Sequence, residues 1–93
     1  MKKLIGLDKV KTAVFISGTG SNLKNLIKFS LKKNSPISIN LVISNKKNAK
    51  GLEYVAQQKI EKKIINFVKR NESEKKIIKL LKKKKITFIC LAG

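Results

Sequence analysis

Residues 12 to 23 read TAVFISGTGSNL, and this stretch decides the fold. Thr12 to Ser17 is a short β-branched and aromatic run of the kind that forms a strand. Gly18 and Gly20 follow at once, where a tight turn and a close approach of backbone to a ligand need the freedom that a Cβ removes. Ser21 and Asn22 then supply side-chain donors and an N-cap, and the chain runs straight into a helix predicted over Ser21 to Lys33. In that helix Leu23, Leu26, Ile27 and Leu31 recur at helical intervals, and Asn34, Ser35 and Pro36 stop it. A strand, a glycine loop and the exposed amides of a helix start together form a phosphate-loop pattern. The bland alternative is an ordinary strand-to-helix turn with a Ser cap. Position after the first strand of a βαβ unit favours ligand binding.

Working outward, three more strand-like runs follow at Ile37 to Ser44, Lys63 to Val68 and Ile86 to Leu91. Helical periodicity separates them, with Leu52, Val55 and Ala56 in a segment of about residues 50 to 59, and Ile77, Ile78, Leu80 and Leu81 in one of about 72 to 84. The unit is β-α-β-α-β-α-β, and strands apolar on both faces belong to a parallel sheet covered by helices. The predicted fold class is therefore α/β, a Rossmann-like three-layer parallel sheet of four strands with helices on both faces. Right-handed crossovers put the first two helices on one face and the third on the other, which gives the strand order 3-2-1-4. Ligands bind in such a sheet where the order reverses, between strands one and four at their carboxyl ends.

Composition sets limits on function. At 93 residues the chain has room for one small domain. Its 23 basic against 5 acidic residues give a net charge of +18, which ordinarily points to a polyanion partner. All but one of those cations are Lys, however, and Lys, Ile and Asn, which share A- and T-rich codons, dominate the sequence. Drift in base composition explains that surface, and it depletes Arg, the residue best suited to reading bases. Five aromatic residues leave little for base stacking, so no specific nucleic acid is expected. The run Lys82 to Lys85 suits the negative end of a helix dipole. One Cys and no His exclude an internal disulfide and offer no metal site. No segment is apolar for long enough to span a membrane, and no signal peptide is expected, because Asp8 interrupts the short apolar stretch at the start. A soluble protein in the reducing cytoplasm is expected.

Chemistry-bearing residues are few. The loop lacks the third glycine of a dinucleotide fingerprint, since Leu23 stands two beyond Ser21, and Ser44 and Asn45 end strand two without a ribose-binding acid. No Gly-Lys-Ser/Thr follows, so the Walker pattern fails as well. Asp8 is the only Asp, Glu53, Glu61, Glu72 and Glu74 read as helix starts or surface positions, and Cys90 between Ile89 and Leu91 reads as an inert core residue.

TAVFISGTGSNLKNLI closely resembles the opening of the phosphoribosylglycinamide formyltransferase family. LVISNKKNAKGLEYV resembles its second strand, Ser-Asn-Lys turn and helix start, and FICLAG its fourth strand. The resemblance covers about residues 12 to 93 and leaves residues 1 to 11 as an N-terminal extension. The related formyltetrahydrofolate deformylases look different at the glycine loop. The resemblance implies transfer of a formyl group from 10-formyltetrahydrofolate to 5-phosphoribosylglycinamide in purine biosynthesis. By matching position, Gly20, Ser21 and Asn22 hold the substrate phosphate, Gly18 shapes the turn, and Arg70 lies near the folate co-substrate. No metal is implied.

Formyl transfer needs a proton acceptor for the attacking amine and donors for the tetrahedral oxyanion. The family's catalytic Asn, His and Asp lie beyond the position matching Gly93. The expectation is thus a truncated N-terminal, substrate-binding half, inactive alone and needing its C-terminal half or a partner chain. The competing readings are a noncatalytic anion- or nucleic-acid-binding α/β module and a relative of the formyltetrahydrofolate deformylases.

Overall fold

The computed structural model describes residues 9–16, 22–46, 51–58, 60–65 and 70–92. Within them the order is β1 (Val10–Ile16), α1 (Leu23–Leu31), β2 (Ile37–Ser44), α2 (Gly51–Gln57), β3 (Glu61–Ile64), α3 (Arg70–Lys83) and β4 (Phe88–Leu91). All pairings are parallel and the sheet order is β3-β2-β1-β4, the order the crossover rule predicts. One core packs Leu23 and Ile27 of α1 and Leu52 and Val55 of α2 against Val14, Ile16, Ile39 and Val42. The other sets Ile77 of α3 against Ala13, Leu41 and Ile43, with Leu80, Leu81 and Ile86 at its margin. Helices one and two share a face and helix three takes the opposite one. Each fully buried Leu or Ile stabilises the fold by about 1.5–3 kcal/mol.

A β-bulge reconciles the two cores. Thr12 pairs with Ile39 and Ala13 with Leu41, so Asn40 is the extra residue. Without it, Ile39, Leu41 and Ile43 would all point to one face. The bulge re-phases β2, leaving Ile39 towards α1 and α2 while Leu41 and Ile43 face α3. The Ser38 hydroxyl donates to Asn40 Oδ1 at 2.9 Å across this irregularity.

Several expected boundaries move. β1 starts at Val10, two residues before the expected Thr12, because the Val10 N–H already donates to the Pro36 carbonyl at 2.9 Å. Lys9 just ahead of it donates from Nζ to the carbonyls of Ser30 and Lys32 at 2.8 and 2.7 Å, so a cation closes the negative end of α1. β3 begins at Glu61, two residues before the expected Lys63, as the outer strand beyond β2; Ile65 lies just past it, and Phe67 and Val68 lie outside the described residues.

Burial on both faces holds for β1 and β2 but not for the two edges. Every residue of β3 is exposed, and in β4 Phe88 is 48% and Leu91 82% exposed. Cys90, expected in the core, is only half-buried, since β4 has one strand neighbour where a core strand has two. Of the residues assigned to helix cores, Leu31, Ala56 and Ile78 are exposed, because each lies at a helix end or on the flank turned from the sheet.

Helix α3 ends in a Schellman motif. The Ile86 N–H donates to the Leu81 carbonyl at 2.9 Å and the Lys85 N–H to that of Lys82 at 3.1 Å. This geometry holds Lys85 at φ 57°, the left-handed region that favours glycine.

Candidate functional site at the carboxyl edge of the sheet

In a parallel sheet every helix starts where a strand has just ended, so all helix N-termini gather at the carboxyl edge. β1 and β2 finish side by side, with Ile16 opposite Ser44. On the other side the Ala92 N–H donates to the Phe15 carbonyl at 2.9 Å, which carries the pairing of β4 with β1 to the same level. The strand order reverses between β1 and β4, and β1 ends and α1 begins at this edge.

Asn22 is the first described residue after that connection; the expected site residues Gly18, Gly20 and Ser21 lie outside the described residues. Asn22 occupies the N-cap position of α1, but its side chain makes no capping bond. The cause is its backbone, already right-handed helical at φ −84°, ψ −12°, whereas a capping side chain reaches the next turn's amides from an extended residue. The Asn22 carbonyl accepts the first helical bond, from Leu26 N–H at 3.1 Å. Its exposed carboxamide is therefore left for other partners, and the first turn of α1 contains no acid.

Two neighbouring turns complete this edge. The Ser44 hydroxyl, on a fully buried residue, donates to the Lys46 carbonyl at 2.8 Å and accepts from the Lys46 N–H at 3.0 Å, fixing the exit of β2. Lys24 in the first turn of α1 places its ammonium 5.5 Å from the ring centroid of Tyr54, in the first turn of α2. Sequence reading missed this contact, although both residues fall within a turn of a predicted helix start.

Arg70 is the first residue of α3 and thus also lies at the carboxyl edge. It is strongly exposed, and its Nε contacts Glu74 Oε1 at 3.3 Å one turn along. Its terminal guanidinium nitrogens take part in no other ion pair among the described residues.

No described carboxylate is placed for acid-base work. Glu53, Glu61, Glu72 and Glu74 are all exposed. Glu61 is held by Lys84 at the opposite, amino edge of the sheet. The Lys84 hydrogen bond, helped by the charges of Lys84, Lys63 and Lys83, lowers its pKa below the ordinary 4.5. A groove of about 530 Å³ lies at that amino edge too, lined by residues that include Lys9, Asn40, Gln58 and Glu61, at the end of the sheet opposite the start of α1. No helix among the described residues is long and apolar enough to cross a membrane.

Known proteins agree with this arrangement. The chain is 52% identical over 48 residues to the chicken trifunctional purine biosynthetic protein adenosine-3, a match that covers 52% of this chain and 5% of that one. A solved phosphoribosylglycinamide formyltransferase from Brucella melitensis superposes with a TM-score of 0.83 at 30% identity, covering 90% of this chain and 45% of that one. A formyltetrahydrofolate deformylase from Pseudomonas putida superposes with a TM-score of 0.78 at 15% identity, covering 90% of this chain and 30% of that one, and shares the fold alone. The chain thus spans less than half the length of each of these proteins. The formyl transferase family model matches residues 10–93, nearly the whole sequence, and the chain belongs to the formyl transferase family.

Proposed function

We propose that this chain is the substrate-phosphate-binding part of a phosphoribosylglycinamide formyltransferase, the enzyme that passes a formyl group from 10-formyltetrahydrofolate to the amine of 5-phosphoribosylglycinamide. Gly18 shapes the turn after β1, and Gly20, Ser21 and Asn22 hold the phosphate at the start of α1. The observation that carries this reading is Asn22, whose exposed carboxamide makes no capping bond at the acid-free start of the first helix. An anion there gains both the helix dipole and the unpaired amides of the first turn.

Arg70 is assigned to the folate side. It stands at the carboxyl edge, and the guanidinium nitrogens that Glu74 does not engage suit a carboxylate of the co-substrate. Proton transfer and oxyanion stabilisation fall to residues outside this chain, which contains no His and whose described carboxylates are all exposed. The 93 residues bind substrate without turning it over until that remainder is supplied. A cytoplasmic setting is part of this reading, since a chain with Cys90 as its single Cys suits a reducing compartment.

Calorimetric titration tests the assignment. The chain binds 5-phosphoribosylglycinamide more tightly than ribose 5-phosphate, and Asn22→Ala weakens binding about tenfold or more, the scale of a hydrogen bond to a charged group. Equal affinity of Asn22→Ala and the parent chain would overturn it.

A further inference from the structure

The Lys24–Tyr54 contact has no role in the function proposed above, and it differs from the other ion contacts at the helix ends. Arg70 is paired through Nε with Glu74, and Lys84 with Glu61. Lys24 forms no ion pair among the described residues; it is held by the face of an aromatic ring. A ring quadrupole fixes a cation in place without cancelling its charge and without occupying the ammonium's three N–H donors.

Position makes the arrangement more informative. Lys24 is the second residue of α1, two beyond Asn22, in a first turn that has no acid. A cation at the positive end of a helix dipole opposes that dipole, and the structure keeps it there. Side chains in a helix lean towards its N-terminus, which directs Lys24 to the carboxyl edge of the sheet. Tyr54 is itself immobilised, half-buried against the core of Leu23, Ile27, Leu52 and Val55. An anion bound beside Asn22 relieves the repulsion between the Lys24 ammonium and the helix end.

We propose that Lys24, parked on the Tyr54 ring, is a positioning residue that draws the doubly charged phosphate of the substrate to the start of α1. This rests on the phosphate-binding reading given above. Lys24 acts through its field, strengthening the attraction for a phosphate dianion.

The experiment is a titration of the 93-residue chain with 5-phosphoribosylglycinamide at several salt concentrations. The variants are Lys24→Met, Lys24→Arg, Tyr54→Leu and, as a control, Lys28→Met. Lys28 is an exposed Lys one turn further along the same helix, so its loss changes the net charge equally. Lys24→Met is expected to weaken binding about two- to fivefold, the scale of a charge at a helix end, and to flatten the salt dependence. Lys24→Arg restores affinity, Tyr54→Leu gives part of the loss while keeping the charge, and Lys28→Met leaves binding unchanged. Equal effects of Lys24→Met and Lys28→Met would overturn the role of Lys24 while leaving the phosphate site standing. Absence of binding by the parent chain would overturn the phosphate reading and this inference together.

Discussion

Replacing Lys85 by glycine stabilises the protein, and the size of the gain follows from one backbone angle. Lys85 sits at φ 57° because two reversed hydrogen bonds close the end of α3, Ile86 N–H to the Leu81 carbonyl and Lys85 N–H to the Lys82 carbonyl. Leu81 and Ile86, on either side of the turn, both pack against the core of Ala13, Leu41, Ile43 and Ile77, so the chain keeps this conformation although a Cβ there costs about 1–2 kcal/mol. Glycine removes that cost but gives the unfolded chain more freedom, which returns about 0.5–1 kcal/mol. The net gain is about 0.5–1 kcal/mol, and for a domain of this size that raises Tm by about 2–8 °C. Chemical and thermal unfolding should be followed together with Lys79→Gly, an exposed position inside the same helix. There the identical substitution lowers stability by about 1 kcal/mol. A fall in stability for Lys85→Gly would refute the reasoning, since it would mean that the helix does not end in the left-handed turn.

Three further outcomes are expected. The exposed apolar surface of Phe88, Ile89 and Leu91 on edge strand β4 drives self-association, so Leu91→Lys lowers the mass seen by light scattering while shifting folding stability by less than about 0.5 kcal/mol; a parent chain that stays monomeric at high concentration would contradict this. The Glu61–Lys84 pair stabilises the fold only while Glu61 is ionised. Because folding lowers the Glu61 pKa below 4.5, that contribution is present above about pH 4.5 and is lost as the pH falls through the lowered value. Glu61→Gln should therefore flatten the acid limb of the stability curve, and an unchanged limb would count against the pair. Ile27→Ala, at a fully buried position facing the sheet, costs about 2–5 kcal/mol in denaturant unfolding; a loss under about 1 kcal/mol would mean that α1 does not pack as described.

The parallel order and the division of the helices between two faces were legible because the apolar runs alternate between strand and helix periods and crossover handedness leaves one arrangement. Ile37 to Ser44 was even placed with its correct ends. What escaped was decided by pairing. The bulge at Asn40 depends on what stands opposite, because only the register with Thr12 and Ala13 shows that β2 carries an extra residue. The expected strand began at Lys63 and left out Glu61 and Lys62, yet an outer strand tolerates charge on both faces, and Lys there discourages further pairing. Cys90, Phe88 and Leu91 looked like core because their neighbours in sequence are apolar, but burial depends on the strand beside them.

The candidate site divides in the same way. That a helix starts just after Asn22 was readable from Ser-Gly-x-Gly-Ser-Asn, while Gly18, Gly20 and Ser21 lie outside the described residues. The Lys24–Tyr54 contact was not, since it joins two helices thirty residues apart in sequence. Nor did the sequence show that Arg70 would be shared with Glu74, although their four-residue spacing on one helix was the available signal.

The central claim is that the substrate phosphate is held at the carboxyl edge, after β1, and the most direct test is an amide chemical-shift titration of the isotope-labelled chain with 5-phosphoribosylglycinamide. The account predicts saturable shifts centred on the amides of Gly18, Gly20, Ser21 and Asn22, with smaller ones at Lys24. Shifts centred on Lys9, Asn40 and Gln58 around the amino-edge groove, or spread evenly over the lysines without saturation, would contradict it.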